Sequence, residues 1–205
     1  MIQAVWAGVV AVYELGGPVI AILLGLSVVS TATILWKLWQ FLYLGVGRHS
    51  AIRAGLRMCD AGDFHNAASD FDKCTNRLGR VFANSVGQSQ SRTEAEADVV
   101  ITRLETGFKL MDSIAQVSPL LGLFGTVLGM IDAFQAMQQA GANVDPSLLA
   151  GGIWVALMTT AAGLAVAIPT TLVLTFFETR VAKERAIAIL GIETIYSPKG
   201  ERDAA

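Results

Sequence analysis

Two stretches of this sequence set a hydroxyl inside a face of small residues. That pattern suits close helix approach and hydrogen bonding rather than covalent catalysis. In GLFGTVLGM, Gly125 and Gly129 are four apart, Gly122 lies three before Gly125, and Thr126 adjoins that face. In the later stretch Gly152, Ala156, Thr160, Gly163 and Ala167 follow one another at spacings of four, four, three and four. Thr159 is adjacent and points about 100° away around a helix. Inside a membrane, helices associate by close backbone approach at such small residues. A single threonine in a membrane helix also commonly bonds the carbonyl of its own preceding turn. Pro169 follows, with Thr170 and Thr171 available to satisfy the carbonyl it frees.

Other chemistry-bearing residues form weaker patterns. Cys59 and Cys74 lie fifteen apart in a charged stretch, with His49 and His65 nearby, a spacing that fits no common zinc pattern. They read as two reduced, partly buried thiols, and no metal site is expected. Asp60, Asp63, Asp70 and Asp72 are interspersed with Arg and Lys, as on a solvated helical surface. Paired carboxylates, a nucleophile elbow and a phosphate loop are all missing, so neither an enzyme nor a cofactor is expected. There is no basic excess and no aromatic-basic interleaving to suggest nucleic acid.

The elements that must position the threonines follow from hydropathy. Only 16% of the residues are charged, against about 25% in a typical soluble domain. The mean hydropathy of +0.53 agrees with a membrane class. Crossing the hydrocarbon takes about 20 mostly apolar residues. Three runs qualify, near 18–36, 114–131 and 148–177, and none contains Asp, Glu, Lys, Arg or His; the second helix continues past Asp132 to about 138. The third would reach about 45 Å at the rise of an α-helix, so it tilts or stands out of the membrane at one end. The expected fold is all-α, an integral membrane protein with three transmembrane helices, spans two and three extending into the cytoplasm.

Charge placement sets an expected topology. All fifteen Lys and Arg residues fall in Lys37–Lys109 and Arg180–Arg202. By the positive-inside rule both segments are cytoplasmic and the N-terminus is outside. The expected organisation is an outer N-terminal segment at 1–16, span one at 17–37 and a cytoplasmic helical region at 38–112. Span two at 113–138, an outer turn at 139–147, span three at 148–178 and a cytoplasmic helix and tail at 179–205 follow. MIQAVWAGVVAVYELGG has no basic n-region, so a cleaved signal peptide is not expected. It reads as a short surface helix with Trp6 and Tyr13 at headgroup level. The stretch GLRMCDAGDFHNAASDFDKCTNRL reads as two short helices broken near Gly62. A face of Val100, Leu104, Phe108 and Met111 predicts a helix running straight into span two. Residues 197–205 read as a disordered tail.

One absence matters as much. Proton relays through membranes use Asp, Glu or His, and the runs 18–36, 114–131 and 148–177 hold none; Glu14, Asp132 and Asp145 sit at or beyond their outer ends. If this protein moves protons, the titrating group comes from another chain.

SPLLGLFGTVLGMIDAF and AGGIWVALMTTAAGLAVAIP, in that order and with this topology, resemble the MotA/TolQ/ExbB proton channel family over about residues 15 to 185. Three spans suit the ExbB/TolQ-like branch better than the four-span flagellar one. The resemblance implies a homo-pentamer around a single-span ExbD/TolR-like partner whose membrane Asp carries the proton. It also implies a TonB/TolA-like energised envelope protein and a place in the bacterial inner membrane. The family's motif threonines correspond to Thr126 and Thr160, which with Thr159 would line the proton path. Gly122, Gly125, Gly129, Gly152, Ala156, Gly163 and Pro169 would serve helix packing. Val155 stands where such proteins commonly carry Glu, and TFFE replaces a Tyr-Asn-like pair after the proline, which suits a specialised paralogue. A non-conducting membrane scaffold, a motility stator and half of a secondary transporter are the alternative readings.

Overall fold

A computed structural model describes residues 2–74, 76–85, 88–140 and 146–198. Seven α-helices and no strand occur among them: α1 (Ile2–Tyr43), α2 (Ser50–Asp60), α3 (Phe64–Asp72), α4 (Arg77–Ala83), α5 (Gln90–Glu105), α6 (Phe108–Ala140) and α7 (Pro146–Tyr196). Stretches long and apolar enough to cross a membrane lie within Gly17–Tyr43, Gln90–Gln139 and Leu149–Tyr196. The all-α, three-span reading therefore holds. The side chains of Trp6 and Tyr13, the turn around Asp145 and the tail from residue 199 lie outside the described residues.

The chain divides into two units. Met1–Leu35 with Lys109–Leu174 form the first, and Trp36–Phe108 with Thr175–Ala205 the second.

In the first unit, Gly17 has φ +64 and precedes Pro18. A left-handed glycine followed by a residue without N–H breaks regular helix geometry at the start of the apolar run. Its buried polar side chains among the described residues are all hydroxyls: Ser30, Ser118, Thr159 and Thr170. Ser30 Oγ and Thr170 Oγ1 are 2.6 Å apart, joining α1 to α7. Thr170 and Thr171 donate to Val166 O and Ala167 O at 2.7 and 2.9 Å. These carbonyls lie one and two residues beyond Ala165, whose helical donor Pro169 removes. The hydroxyls thus back-bond along their own turns rather than repairing the proline's vacancy.

In the second unit, Gly62 at φ +80 separates α2 from α3, as its position in the sequence predicts. Asp63 caps α3, accepting from the Asn66 backbone N–H at 3.3 Å and from its side-chain amide at 2.6 Å. Those two bonds hold the Asp63 carboxyl below the usual carboxylate range. A third short helix, α4, follows, capped by Asn76. The predicted continuous helix into span two is instead interrupted: α5 ends at Glu105, Thr106 is extended, and Gly107 has φ +89. A non-glycine residue rarely adopts that conformation, so Gly107 makes the turn possible. The core joins Ile52, Leu56, Phe71, Leu78 and Phe82 with Ala188 and Ile192 of α7. Gly55 and Gly191 leave room for the rings of Phe71 and Phe82, which a Cβ at either position would strike. Cys59 and Cys74 are buried in this core. Burial, aided by Asp60 and Asp70 respectively, pushes both thiols up.

Candidate functional site

The small-residue faces of α6 and α7 meet within the first unit. A methyl group added at Gly122 would lie 2.9 Å from Thr159 O and 3.0 Å from Thr160 Cα. At Gly125 it would lie 2.6 Å from Thr159 Oγ1, and at Gly129 3.1 Å from the Ala156 Cβ. Reciprocally, Gly163 sits against Ser118 O and Gly122, and Gly152 against Ala133 and Gly129 O. The two helices approach nearly backbone to backbone, which is what small residues permit between membrane helices.

The three threonines differ in their surroundings. Thr159 is 1% exposed. Its hydroxyl lies 2.7 Å from Ala156 O and 3.2 Å from Gly122 O. Thr160 is half-buried and donates to the same Gly122 carbonyl at 3.2 Å. Thr126 is half-buried and donates to Leu123 O of its own helix at 2.6 Å. The buried line along α7 runs Ala156, Thr159, Gly163, Ala167, Thr170 and Leu174. It passes through Thr159, with Thr160 at its edge, because α6 sits over that side of the helix. A hydroxyl has one proton and two lone pairs. Thr126 and Thr160 each spend the proton on a carbonyl and keep oxygen lone pairs with which to accept from a water or a protonated acid. Thr126 lies one helical turn past Gly122, about 6 Å along the axis, so the two hydroxyls belong to one stretch of the α6–α7 seam. Pro169 is exposed on α7, and Val155 is half-buried.

Ionisable groups are buried in the second unit, at two places the sequence reading passed over. Glu184 is 1% exposed. Its Oε1 accepts from Gly47 N and His49 Nε2, each at 2.7 Å, and its Oε2 accepts from Asn76 Nδ2 at 2.9 Å. An ionised carboxylate only accepts, so His49 carries its proton on Nε2. Lys37 is fully buried. Its ammonium donates to Gln40 Oε1 at 2.8 Å and Leu104 O at 2.7 Å, and it lies over the rings of Phe108, Trp36 and Phe41 at 4.9, 5.3 and 5.7 Å. Hydrogen bonds and ring faces together take the place of a counter-ion. Glu184 had a sequence signal: it falls on the buried line Phe177, Val181, Glu184, Ala188 and Ile192 of α7, where every other member is apolar. Lys37 had none, since a lysine ending an apolar run reads as an interface anchor.

A multi-span helical membrane protein with glycine-packed spans, half-buried hydroxyls and no ionisable group in its apolar runs is a defined class. The profile of the MotA/TolQ/ExbB proton channel family matches residues 71–188, more than half of the chain. The chain belongs to this family, on its ExbB/TolQ-like side. It is 45% identical to the biopolymer transport protein exbB1 of Vibrio cholerae over 67 residues, 33% of this chain and 29% of that protein. It is 35% identical to an ExbB homologue of Methanothermobacter thermautotrophicus over 109 residues, covering 53% and 37%. An ExbB-like protein of Helicobacter pylori is 27% identical over 154 residues, covering 69% and 77%. The chain thus spans only about a third of the length of the first two relatives.

Proposed function

We propose that this protein is the three-span subunit of an inner-membrane proton channel that converts proton-motive force into work on an envelope protein. A single-span ExbD/TolR-like partner supplies the titrating Asp, and a TonB/TolA-like protein receives the work. Five copies of the chain surround the partner. The N-terminus is outside, and residues 38–112 and 179–205 are cytoplasmic, in keeping with the confinement of Lys and Arg to those parts. The observation that carries the reading is the pairing of an acid-free membrane core with half-buried Thr126 and Thr160 on neighbouring helices. Hydroxyls orient a proton carrier but cannot replace one, so the core is chemically complete only with an acid from another chain. Thr159, buried under Gly125, supports the wall of the path rather than lining it.

The test has two parts. Native mass spectrometry of the complex, extracted gently from its own membrane, should give five 21.7 kDa chains plus copies of a small single-span protein. In proteoliposomes holding that complex, Thr160→Val should leave the mass unchanged and cut proton flux. Undiminished flux would remove Thr160 from the path. A complex that assembles but passes no protons would favour a non-conducting scaffold, the reading to which Val155 in place of the common Glu lends some weight.

A further inference from the structure

A cavity of about 380 Å³ opens in the second unit, and its lining has a chemistry that the proton-channel reading does not use. Trp36, Trp39 and Tyr43 of α1 form one side, and Arg77, Arg103 and Gln40 supply its polar groups. Trp39 and Tyr43 stack with centroids 5.8 Å apart and are 66% and 72% exposed. Among the described residues no acidic one lines the cavity. Among the described residues neither Arg77 nor Arg103 has a carboxylate in ion-pair range, and Glu105, the nearest acid in sequence to Arg103, is held by Arg185 at 2.8 Å. Gln40 accepts from the buried Lys37 ammonium and reaches Arg103 O at 3.4 Å, which fixes its amide at the cavity wall.

The position along α1 selects the occupant. From Pro18 to Trp36 the helix rises about 27 Å, close to the roughly 30 Å of the hydrocarbon core. Trp36 to Tyr43 then covers about 10 Å more, the depth of the headgroup layer, where Trp and Tyr concentrate. An aromatic wall with two uncompensated guanidinium groups at that depth matches an amphiphile with a phosphate head. We infer that this cavity binds an anionic phospholipid from the leaflet in which span one ends. The phosphodiester sits between Arg77 and Arg103, planar forks suited to phosphate oxygens, and the glycerol and upper acyl carbons lie against the rings of Trp36 and Trp39. The inference stands apart from proton conduction and holds for a scaffold equally well.

The experiment is native mass spectrometry of the detergent-purified protein titrated with dioleoylphosphatidylglycerol or dioleoylphosphatidylcholine, with and without inorganic phosphate. The wild type should retain phosphatidylglycerol preferentially, and phosphate should not displace it. Arg77→Gln with Arg103→Gln should lower that retention roughly tenfold or more, the affinity two basic residues contribute at an anionic surface. Lys73→Gln with Arg92→Gln, at exposed and already paired positions, should match the wild type. Equal retention of both lipids, wild-type retention by the Arg77/Arg103 variant, or displacement by phosphate would each overturn the assignment. Should that variant fail to fold, brominated lipids test the wild type directly. Brominated phosphatidylglycerol should quench tryptophan fluorescence more than brominated phosphatidylcholine at equal mole fraction, and equal quenching overturns the site.

Discussion

The two units of this protein differ in the polar groups they bury. In the first, every buried polar side chain among the described residues is a hydroxyl, each bonded to a helix carbonyl or, for Ser30, to a second hydroxyl. In the second, a carboxylate, an ammonium and an asparagine amide are buried as well as the hydroxyls of Ser85 and Thr93, and each of the three has two or more named partners. Lipid offers no water to an imperfectly satisfied group, so the spans keep to side chains that close their bonds locally. The second unit uses Glu184 as a clasp, drawing Gly47, His49 and Asn76 onto α7.

The largest effect should come from breaking that clasp. Glu184→Ala leaves a backbone N–H, an imidazole N–H and an amide without acceptors. Leaving a buried donor unsatisfied typically costs about 1–3 kcal/mol, and here three donors lose their acceptor at once. Maleimide labelling of Cys59 and Cys74, 2% and 8% exposed, reports the opening of this unit. Labelling should accelerate strongly in Glu184→Ala and less in Glu184→Gln, which keeps one acceptor oxygen. Unchanged labelling would mean that the apolar core alone holds the unit.

The corresponding break in the first unit is steric. A side chain at Gly163 would press on Ser118 O at 2.5 Å and on the Gly122 Cα at 3.2 Å, both backbone atoms that cannot swing aside. Gly163→Val should cost about 1–3 kcal/mol of overpacking, seen as a lower unfolding midpoint in mixed micelles. Gly25→Ala is the control, because nothing lies within 4 Å of its added methyl. A loss at Gly25 comparable to that at Gly163 would mean that a second chain packs there.

These contrasts also mark how far the sequence could be read. The spans were legible because long uncharged apolar runs have few other uses, and the break at Gly62 because a glycine interrupts two short amphipathic stretches. The turn at Thr106–Gly107 was not legible, since the apolar face keeps helical register on both sides of it and only the backbone conformations of Thr106 and Gly107 differ. In the α6–α7 seam the glycines were legible, but the spacing puts Thr160 on the small-residue line and Thr159 off it, whereas Thr159 is the buried one and Thr160 lies at the edge. Neighbouring residues differ by 100°, and only the place of the facing helix decides which is covered. Glu184 shows the limit most clearly: its line along α7 was visible, but its partners at 47, 49 and 76 are remote in sequence.

Separating those two threonines sharpens the comparison within the first unit. Thr159→Val deletes a hydroxyl from a site with no room to adjust and should lower stability by roughly 0.6 kcal/mol, the usual scale for such bonds in membrane helices. Thr160→Val, at the half-buried edge, should alter stability less and proton flux more. A variant pair with the opposite pattern would exchange the roles assigned to wall and path.

The smallest effect concerns proton linkage, and it too divides the units. Burial raises the thiols of Cys59 and Cys74 above the ordinary thiol value, and the nearby charges of Asp60 and Asp70 act in the same direction. The Cys74 thiol also donates to Asp70 O at 3.4 Å, a bond that its thiolate cannot make. The folded state therefore holds these protons to higher pH than the unfolded chain does. Where the folded state binds more protons, stability falls as pH rises. The stabilising contribution is complete below the unfolded thiol value and is lost as pH climbs through the folded one. The unfolding midpoint should thus decline as pH rises above the unfolded thiol value of about 8.5, and Cys59→Ala with Cys74→Ala should flatten that decline while lowering stability at neutral pH by cavity formation. The deficit caused by Gly163→Val should stay constant across the same range, because no thiol lies in its unit. Parallel alkaline profiles for the wild type and the double cysteine variant would assign the decline to other groups.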